Sequence, residues 1–123
     1  MEKKIKILEH DVQKTITDYL TYKNIICWRT NSGAMKIADR FIKFMSWIWP
    51  ISSKIKSYSF LDISGMLDGG RYFTIEIKTP GKKPTDAQNN TISLICNRGG
   101  IAFYADSVDM MLEKFKNEFG VYI

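Results

Sequence analysis

Residues 60–78 read FLDISGMLDGGRYFTIEIK. Two short apolar runs flank Asp68-Gly69-Gly70, and glycine supplies the positive φ angles that a tight hairpin turn needs. The stretch therefore predicts two antiparallel strands, 60–66 and 71–78, around a short loop. Side chains alternate along a strand, so Phe73, Ile75 and Ile77 fall on one face and Thr74, Glu76 and Lys78 on the other. The loop sets Leu67 opposite Arg71, which places Leu61 opposite Ile77, Ile63 opposite Ile75 and Asp62 opposite Glu76. A slip of one residue would mix apolar and polar side chains on each face, so the pattern selects this register. Two carboxylates directly across a ladder stand roughly 4.5–5.5 Å apart at Cβ, and like charges so placed repel. A cation between them removes the repulsion. The hairpin is thus a candidate metal site.

Upstream, residues 4–22 predict a helix, with Ile5, Leu8, Val12, Ile16 and Tyr19 at helical spacing. Glu9 falls beside Ile16, inside the wider apolar arc that Leu20 completes. Residues 25–30 (IICWRT) predict a short strand, and Asn31-Ser32-Gly33 a loop or turn. Residues 34–58 mix helical and strand signals, with a short helix or strand expected near 37–45 and a loop around Pro50. Downstream, residues 79–84 (TPGKKP) read as a loop. Thr85 and Gln88 form a capping box ahead of a helix to about Asn97, stopped by Arg98-Gly99-Gly100. Residues 101–105 read as a buried strand, and Asp106 or Ser107 as the cap of a last helix to Phe119. Strand, helix and strand from 71 to 105 predict a right-handed parallel crossover beside the hairpin. The expected class is α/β, a mixed sheet flanked by helices in one domain over 1–123.

The 123-residue chain is 45% hydrophobic and 25% charged, as ordinary globular domains are, so disorder is not expected. With 18 lysines and arginines against 13 acids its net charge is +5, which favours an anionic partner, either nucleic acid or an anionic membrane surface. Cys27 and Cys96 lie far apart in apolar contexts, so buried free thiols are expected. A single histidine beside them argues against zinc. The opening MEKKIKILEH lacks the apolar core of a signal peptide. The longest uncharged apolar run, 44–53, falls short of the ~20 residues a membrane span takes. A soluble, intracellular protein with no membrane partner is the expectation.

Asp62, Glu76 and Lys78 are the residue types that metal-dependent phosphodiester hydrolysis requires. Carboxylate oxygens hold hard cations, and Mg²⁺ keeps several waters in such sites. The cation makes a bound water acidic and stabilises charge on the attacked phosphate. Lys78 shares the face of Glu76 and can orient that water or meet the developing charge. The backbone carbonyl of Ile77 between them can supply a further oxygen. On residue pattern alone, a solvated strand face with a cross-strand ion pair remains an equal reading. Glu9 also fits the edge of an apolar stripe, Gln88 a cap, and Arg29 with Asn31 a turn.

Glu9 is followed by Trp28-Arg29-x-Asn31-Ser32-Gly33, Arg40-Phe41-Ile42-Lys43-Phe44 and Leu61-Asp62-Ile63-x-Gly65. Asp68-Gly69, Ile75-Glu76-Ile77-Lys78, Ala87-Gln88 and Gly99-Gly100 complete the order. Across nearly the whole chain this set resembles the virus-type replication-repair nuclease (VRR-NUC) family, within the PD-(D/E)xK nuclease superfamily. The resemblance implies a restriction-endonuclease-like α/β fold and a metal-dependent endonuclease. It implies Mg²⁺ or Mn²⁺ held by Glu9, Asp62 and Glu76, with the Ile77 carbonyl available as well. Lys78 would be catalytic, and Gln88 would support the site near a phosphate. Arg29, Asn31, Ser32, Lys82 and Lys83 are the candidate DNA contacts. The family likeness further implies a homodimer that cuts branched or Holliday-junction-like DNA in a cytoplasmic setting, many relatives being phage-encoded.

Two departures stand out. Leu61 replaces the proline that often precedes the aspartate, and 45–59 (MSWIWPISSKIKSYS) stands where the family has a short glycine-rich link. Trp47, Trp49, Tyr58, Lys54 and Lys56 in that insert fit core or a dimer interface, or stacking on unpaired bases. A nuclease fold that binds DNA without cutting it is the alternative function. Attachment to a membrane surface through 41–58 is weaker, because lysines interrupt the apolar stretch.

Overall fold

A computed structural model describes residues 5–30 and 57–123, together with the backbone of 34–37 and 40–43. Its elements run α1 (Glu9–Tyr22), β1 (Ile26–Arg29), β2 (Ala34–Ile37), β3 (Arg40–Lys43), β4 (Ile63–Leu67) and β5 (Arg71–Ile77). Then come α2 (Asp86–Asn97), β6 (Ile101–Ala105) and α3 (Val108–Phe119). The hairpin forms in the register read from the sequence, with Leu67 opposite Arg71 and Ile63 opposite Ile75. Gly69 and Gly70 take φ of +84° and +81° in the turn, and the Gly70 amide donates to the Leu67 carbonyl at 3.0 Å. Both strands are shorter than expected, since β4 begins only at Ile63 and β5 ends at Ile77.

The main sheet has the order β1-β4-β5-β6. β1 and β5 flank β4 antiparallel, and β6 joins β5 parallel after α2, so the sheet is mixed as expected. The expected helix or strand near 37–45 resolves into strand: β2 and β3 pair antiparallel, Ala34 with Lys43 and Ile37 with Arg40, as a separate two-stranded sheet. Asn31, Ser32 and Gly33 lie outside the described residues, as do 44–56 with Trp47, Trp49, Lys54 and Lys56.

One face of the main sheet carries the core. Phe73, Ile75 and Ile77 project from β5 beside Ile63, Ile101, Phe103 and Ala105, and meet Val12, Ile16 and Leu20 of α1 and Met111 and Phe115 of α3. Phe115 stands edge-on to Phe73 and Phe103, with centroids 5.6 and 5.0 Å away. Burying an aliphatic or aromatic side chain of this size contributes about 1.5–3 kcal/mol each, so this face carries much of the stability.

Gly65 sits under that core opposite Phe73. A Cβ there would collide with the Phe73 ring and the Ile26 carbonyl, and neither a packed ring nor a ladder carbonyl yields cheaply. Gly65→Ala is therefore expected to cost about 3 kcal/mol, measured by urea denaturation. A loss under about 0.5 kcal/mol would show that the strand relaxes around the methyl group.

The first helix starts later than its apolar spacing suggested. Ile5 is 92% exposed and Leu8 is the extended residue ahead of the helix. The physical reason is the helix dipole: Lys6 would oppose the positive N-terminal end, whereas Glu9 and Asp11 suit it. The other helix ends follow the sequence. Ser107, not Asp106, caps α3, its hydroxyl accepting from the Met110 amide at 3.1 Å. Both thiols are free but only half-buried, a correction to the buried thiols expected. Cys96 donates to the Ala102 carbonyl at 3.4 Å, and burial raises the Cys27 pKa. Among the described residues no helix is long and apolar enough to cross a membrane.

Candidate acidic and lysine site

Alternation along β5 sends Thr74 and Glu76 to the face opposite the core, where a solvated polar surface was one expectation. That face is covered instead. Thr74 and Glu76 are buried; α2 packs on the neighbouring strand β6 and reaches Glu76 through Gln88. One rung below the acids, hydroxyls from β4, β5 and the residue just after β1 satisfy each other. Thr30 Oγ1 and Ser64 Oγ are 2.6 Å apart, Ser64 is 2.8 Å from the Tyr72 hydroxyl, and it donates to Thr74 at 3.1 Å. Thr74 in turn donates to the Ile63 carbonyl at 3.0 Å. Buried hydroxyls without partners would cost about 1–3 kcal/mol each, and here none is left over.

Asp62 is where the sequence register fails. It does not stand across a ladder from Glu76; the chain bends at Asp62 and pairing begins at Ile63. The Asp62 carbonyl still accepts the Thr30 amide at 2.9 Å. Its side chain accepts the Ile77 amide at 2.8 Å. In a continued ladder that amide would belong to the Leu61 carbonyl, so the Asp62 carboxylate replaces a backbone acceptor and ends the strand. The N–H and C=O of one strand residue point to the same side, so the Ile77 carbonyl faces the Asp62 side as well.

Glu76 is 5% exposed. Its Oε1 accepts from Gln88 Nε2 at 2.7 Å and lies 3.8 Å from Lys78 Nζ. Burial pushes its carboxyl pKa up to about 8 from 4.5, and the nearby Asp62 charge adds to the rise. Lys78 opposes it, while Asp62 as hydrogen-bond acceptor and the more distant Glu9 charge push the same way. A cation, not a proton, is the other way to hold two such carboxylates together.

Gln88 had two competing sequence readings, a helix cap and a support of the site; the structure shows the cap together with a contact to Glu76. Its Oε1 accepts the Thr85 amide at 2.9 Å while the Thr85 hydroxyl accepts the Gln88 amide at 3.2 Å, the reciprocal capping box. With Oε1 committed to the cap, Nε2 is the end that faces Glu76. A single amide therefore starts α2 and fixes one oxygen of the buried acid.

The remaining sequence candidates fall in different places. Glu9 opens α1 and is exposed, close enough for its charge to act on Glu76. Arg29 is exposed at the end of β1, opposite Ile63. Lys82 and Lys83 are exposed in the loop after β5, and Asn31 and Ser32 lie outside the described residues. Two side chains that the sequence did not single out lie beside the site. Tyr104 is the parallel partner of Glu76 on β6. Lys114 of α3 donates to the Tyr104 carbonyl at 2.6 Å, and its ammonium lies 3.5 Å from the Tyr104 ring centroid. No local sequence signal marks that contact, which spans a strand-to-helix corner.

Whether these donors suit a metal can be judged from their chemistry. No group of three or more histidine, cysteine, aspartate or glutamate side chains is arranged to hold a metal among the described residues. Glu9 is thus not gathered into the pair. Mg²⁺ is commonly bound through one or two carboxylates plus water and substrate oxygens, so Asp62 and Glu76 with the Ile77 carbonyl suit it. No protein-family model matches the chain, and no curated protein matches it either.

Proposed function

We propose that this chain is a metal-dependent DNA endonuclease of the VRR-NUC type, with the restriction-endonuclease-like form of the α/β fold. The observation that carries the reading is Glu76: a nearly fully buried acid held between a second carboxylate, a lysine and a glutamine amide. Stability alone does not account for burying an acid there, since a buried ionisable group costs free energy that an apolar residue would not. Perturbed acids of this kind concentrate at functional sites.

Asp62 and Glu76 would hold Mg²⁺ or Mn²⁺, and Glu9 would join them only if α1 or its side chain moved inward. The ion, when bound, lowers the pKa of a water and neutralises charge on the phosphate. Gln88 keeps Glu76 Oε1 in place, which directs Oε2 toward the incoming ligand. Asp62 is oriented by the Ile77 amide, which leaves its other oxygen available. Lys78 orients the attacking water or meets the charge that develops on the phosphate oxygens. Branched DNA as substrate, a homodimer as the assembly, and a cytoplasmic, phage-related setting rest on the family resemblance and the net charge of +5.

The test is cleavage of branched and of duplex DNA in Mg²⁺. Cleavage by the wild type and its loss in Asp62→Ala and Glu76→Ala are expected; activity that persists in either variant contradicts the proposal. The lack of a third acid in the described site favours one rival, a nuclease fold that only binds DNA. It expects salt-sensitive DNA binding, no metal uptake, and binding unaffected by Glu76→Ala.

A further inference from the structure

Asp62 leaves the ladder with β5 but keeps its place against β1. Pairing between β4 and β5 starts only at Ile63, whereas the Thr30 amide, just past the end of β1, still donates to the Asp62 carbonyl at 2.9 Å. The Asp62 backbone is thus held from the β1 side while its carboxylate turns to the Ile77 amide at 2.8 Å. Thr30 makes a second bond beside the first. Its hydroxyl lies 2.6 Å from Ser64 Oγ. One residue therefore grips the chain on both sides of Ile63, by backbone at Asp62 and by side chain at Ser64. Thr30 is buried, so little water is at hand to replace either bond. A strand end held by a single bond frays, and the second bond opposes that.

Counting protons gives these hydroxyls a direction. Thr74 donates to the Ile63 carbonyl, and Ser64 donates to Thr74. A hydroxyl has one proton, so Ser64 has none left for Thr30 or Tyr72. Both donate to Ser64 instead, Thr30 across 2.6 Å and Tyr72 across 2.8 Å. The two donors do the same chemistry from different places. Thr30 stands on the rung of Asp62, whereas Tyr72 stands opposite Met66, on the far side of Ser64 from the acid. Only one of them can bear on the bend.

We propose that Thr30 is a positioning residue of the candidate metal site: its paired bonds to Asp62 and Ser64 hold the bend that turns the Asp62 carboxylate onto the Ile77 amide. The consequence for metal binding rests on the reading of Asp62 as a ligand, whereas the consequence for the bend does not. Thr30 touches neither the ion nor the substrate. It acts through Asp62, as the outer hydrogen bonds of metal sites act through the ligands they orient, and losing such a partner typically weakens a site about 10–100-fold.

The experiment is amide hydrogen exchange of the full chain in EDTA, followed residue by residue by NMR, together with Mn²⁺ titration. In the wild type the Thr30 and Ile77 amides should both be protected, although Thr30 lies past β1 and Ile77 has a side chain as its acceptor. Thr30→Val keeps the shape and the backbone donor but loses the hydroxyl. It should speed exchange at Ile77 relative to Ile75 by about fivefold, the worth of one hydrogen bond. Ile75 lies opposite Ile63 in the same strand, so a general loss of stability would move both amides together and leave their ratio unchanged. Mn²⁺ binding should weaken by about tenfold. Thr30→Ser, which restores the hydroxyl, should return both readings to near the wild type. Tyr72→Phe, which removes the other donor to Ser64, should leave both unchanged. An unprotected Thr30 amide in the wild type overturns the proposal even if Thr30→Val does not fold. So does an unaltered Ile77-to-Ile75 ratio in Thr30→Val, or a Tyr72→Phe variant that matches it. A ratio that shifts as expected in a protein that takes up no Mn²⁺ leaves the role of Thr30 at the bend standing and ends the metal reading.

Discussion

Glu76→Gln is expected to make the metal-free protein more stable at pH 9 while destroying its activity. The Glu76 carboxyl has its folded-state pKa raised to about 8 against an ordinary 4.5, first by burial and then by the Asp62 charge. Between those values the folded chain holds a proton that the unfolded chain has lost. Stability is therefore fully present below pH about 4.5, falls as pH rises toward 8, and levels off above it. A pKa unit is worth about 1.4 kcal/mol, and solvent reach and relaxation reduce the sum to on the order of 3 kcal/mol. Glutamine does not titrate and can still accept from Gln88 Nε2, so this decline should be missing from the variant. Urea denaturation in EDTA from pH 4 to 9 measures it. A wild type whose stability is flat across that range, or a variant that tracks it, contradicts the electrostatics assigned to Glu76. Mn²⁺ should lessen the wild-type decline at pH 8–9, since a ligand that binds only the folded state stabilises it by about 2.7 kcal/mol at a hundredfold excess over Kd.

Asp62→Asn is the second large effect. The side chain keeps its size and an oxygen that can accept the Ile77 amide, so the bend before β4 should survive. What is lost is one negative charge of two. Metal assistance is worth several kcal/mol of transition-state charge stabilisation, and ~4 kcal/mol corresponds to about a thousandfold in rate. Cleavage by Asp62→Asn is expected to fall by about that factor at saturating DNA, with the melting temperature in EDTA within a few degrees of wild type. A variant that cuts within tenfold of wild type would place the metal chemistry elsewhere. A variant that is merely unfolded would show itself in the melting curve.

Much of this fold could be read from the chain because local signals agreed. Asp68-Gly69-Gly70 fixes the hairpin, the period-two apolar set fixes its register, and Thr85 with Gln88 fixes the start of α2. The sequence was silent where tertiary packing decides. Thr74-x-Glu76 left a solvated face and a site as equal readings, and only tertiary contacts, such as Gln88 of α2 reaching Glu76, decide that the face is interior. The bend at Asp62 comes from a side chain competing with backbone for the Ile77 amide, which no periodicity encodes. Ile5 and Leu8 have helical spacing, but lysines at that end favour a later start. Gln88 seemed to demand a choice between cap and site because sequence assigns one role to a residue, whereas an amide has two ends. Lys114 gave no signal at all, since its partners lie on another element.

The proposed cleavage requires that Asp62 and Glu76 hold a divalent ion together. Isothermal titration of Mn²⁺ into the wild-type chain and into Asp62→Asn at pH 8 tests that requirement without DNA or turnover. A saturable site in the wild type that Asp62→Asn loses is the result expected. Titrations that match in the two proteins, or a wild type that takes up no Mn²⁺, would contradict it.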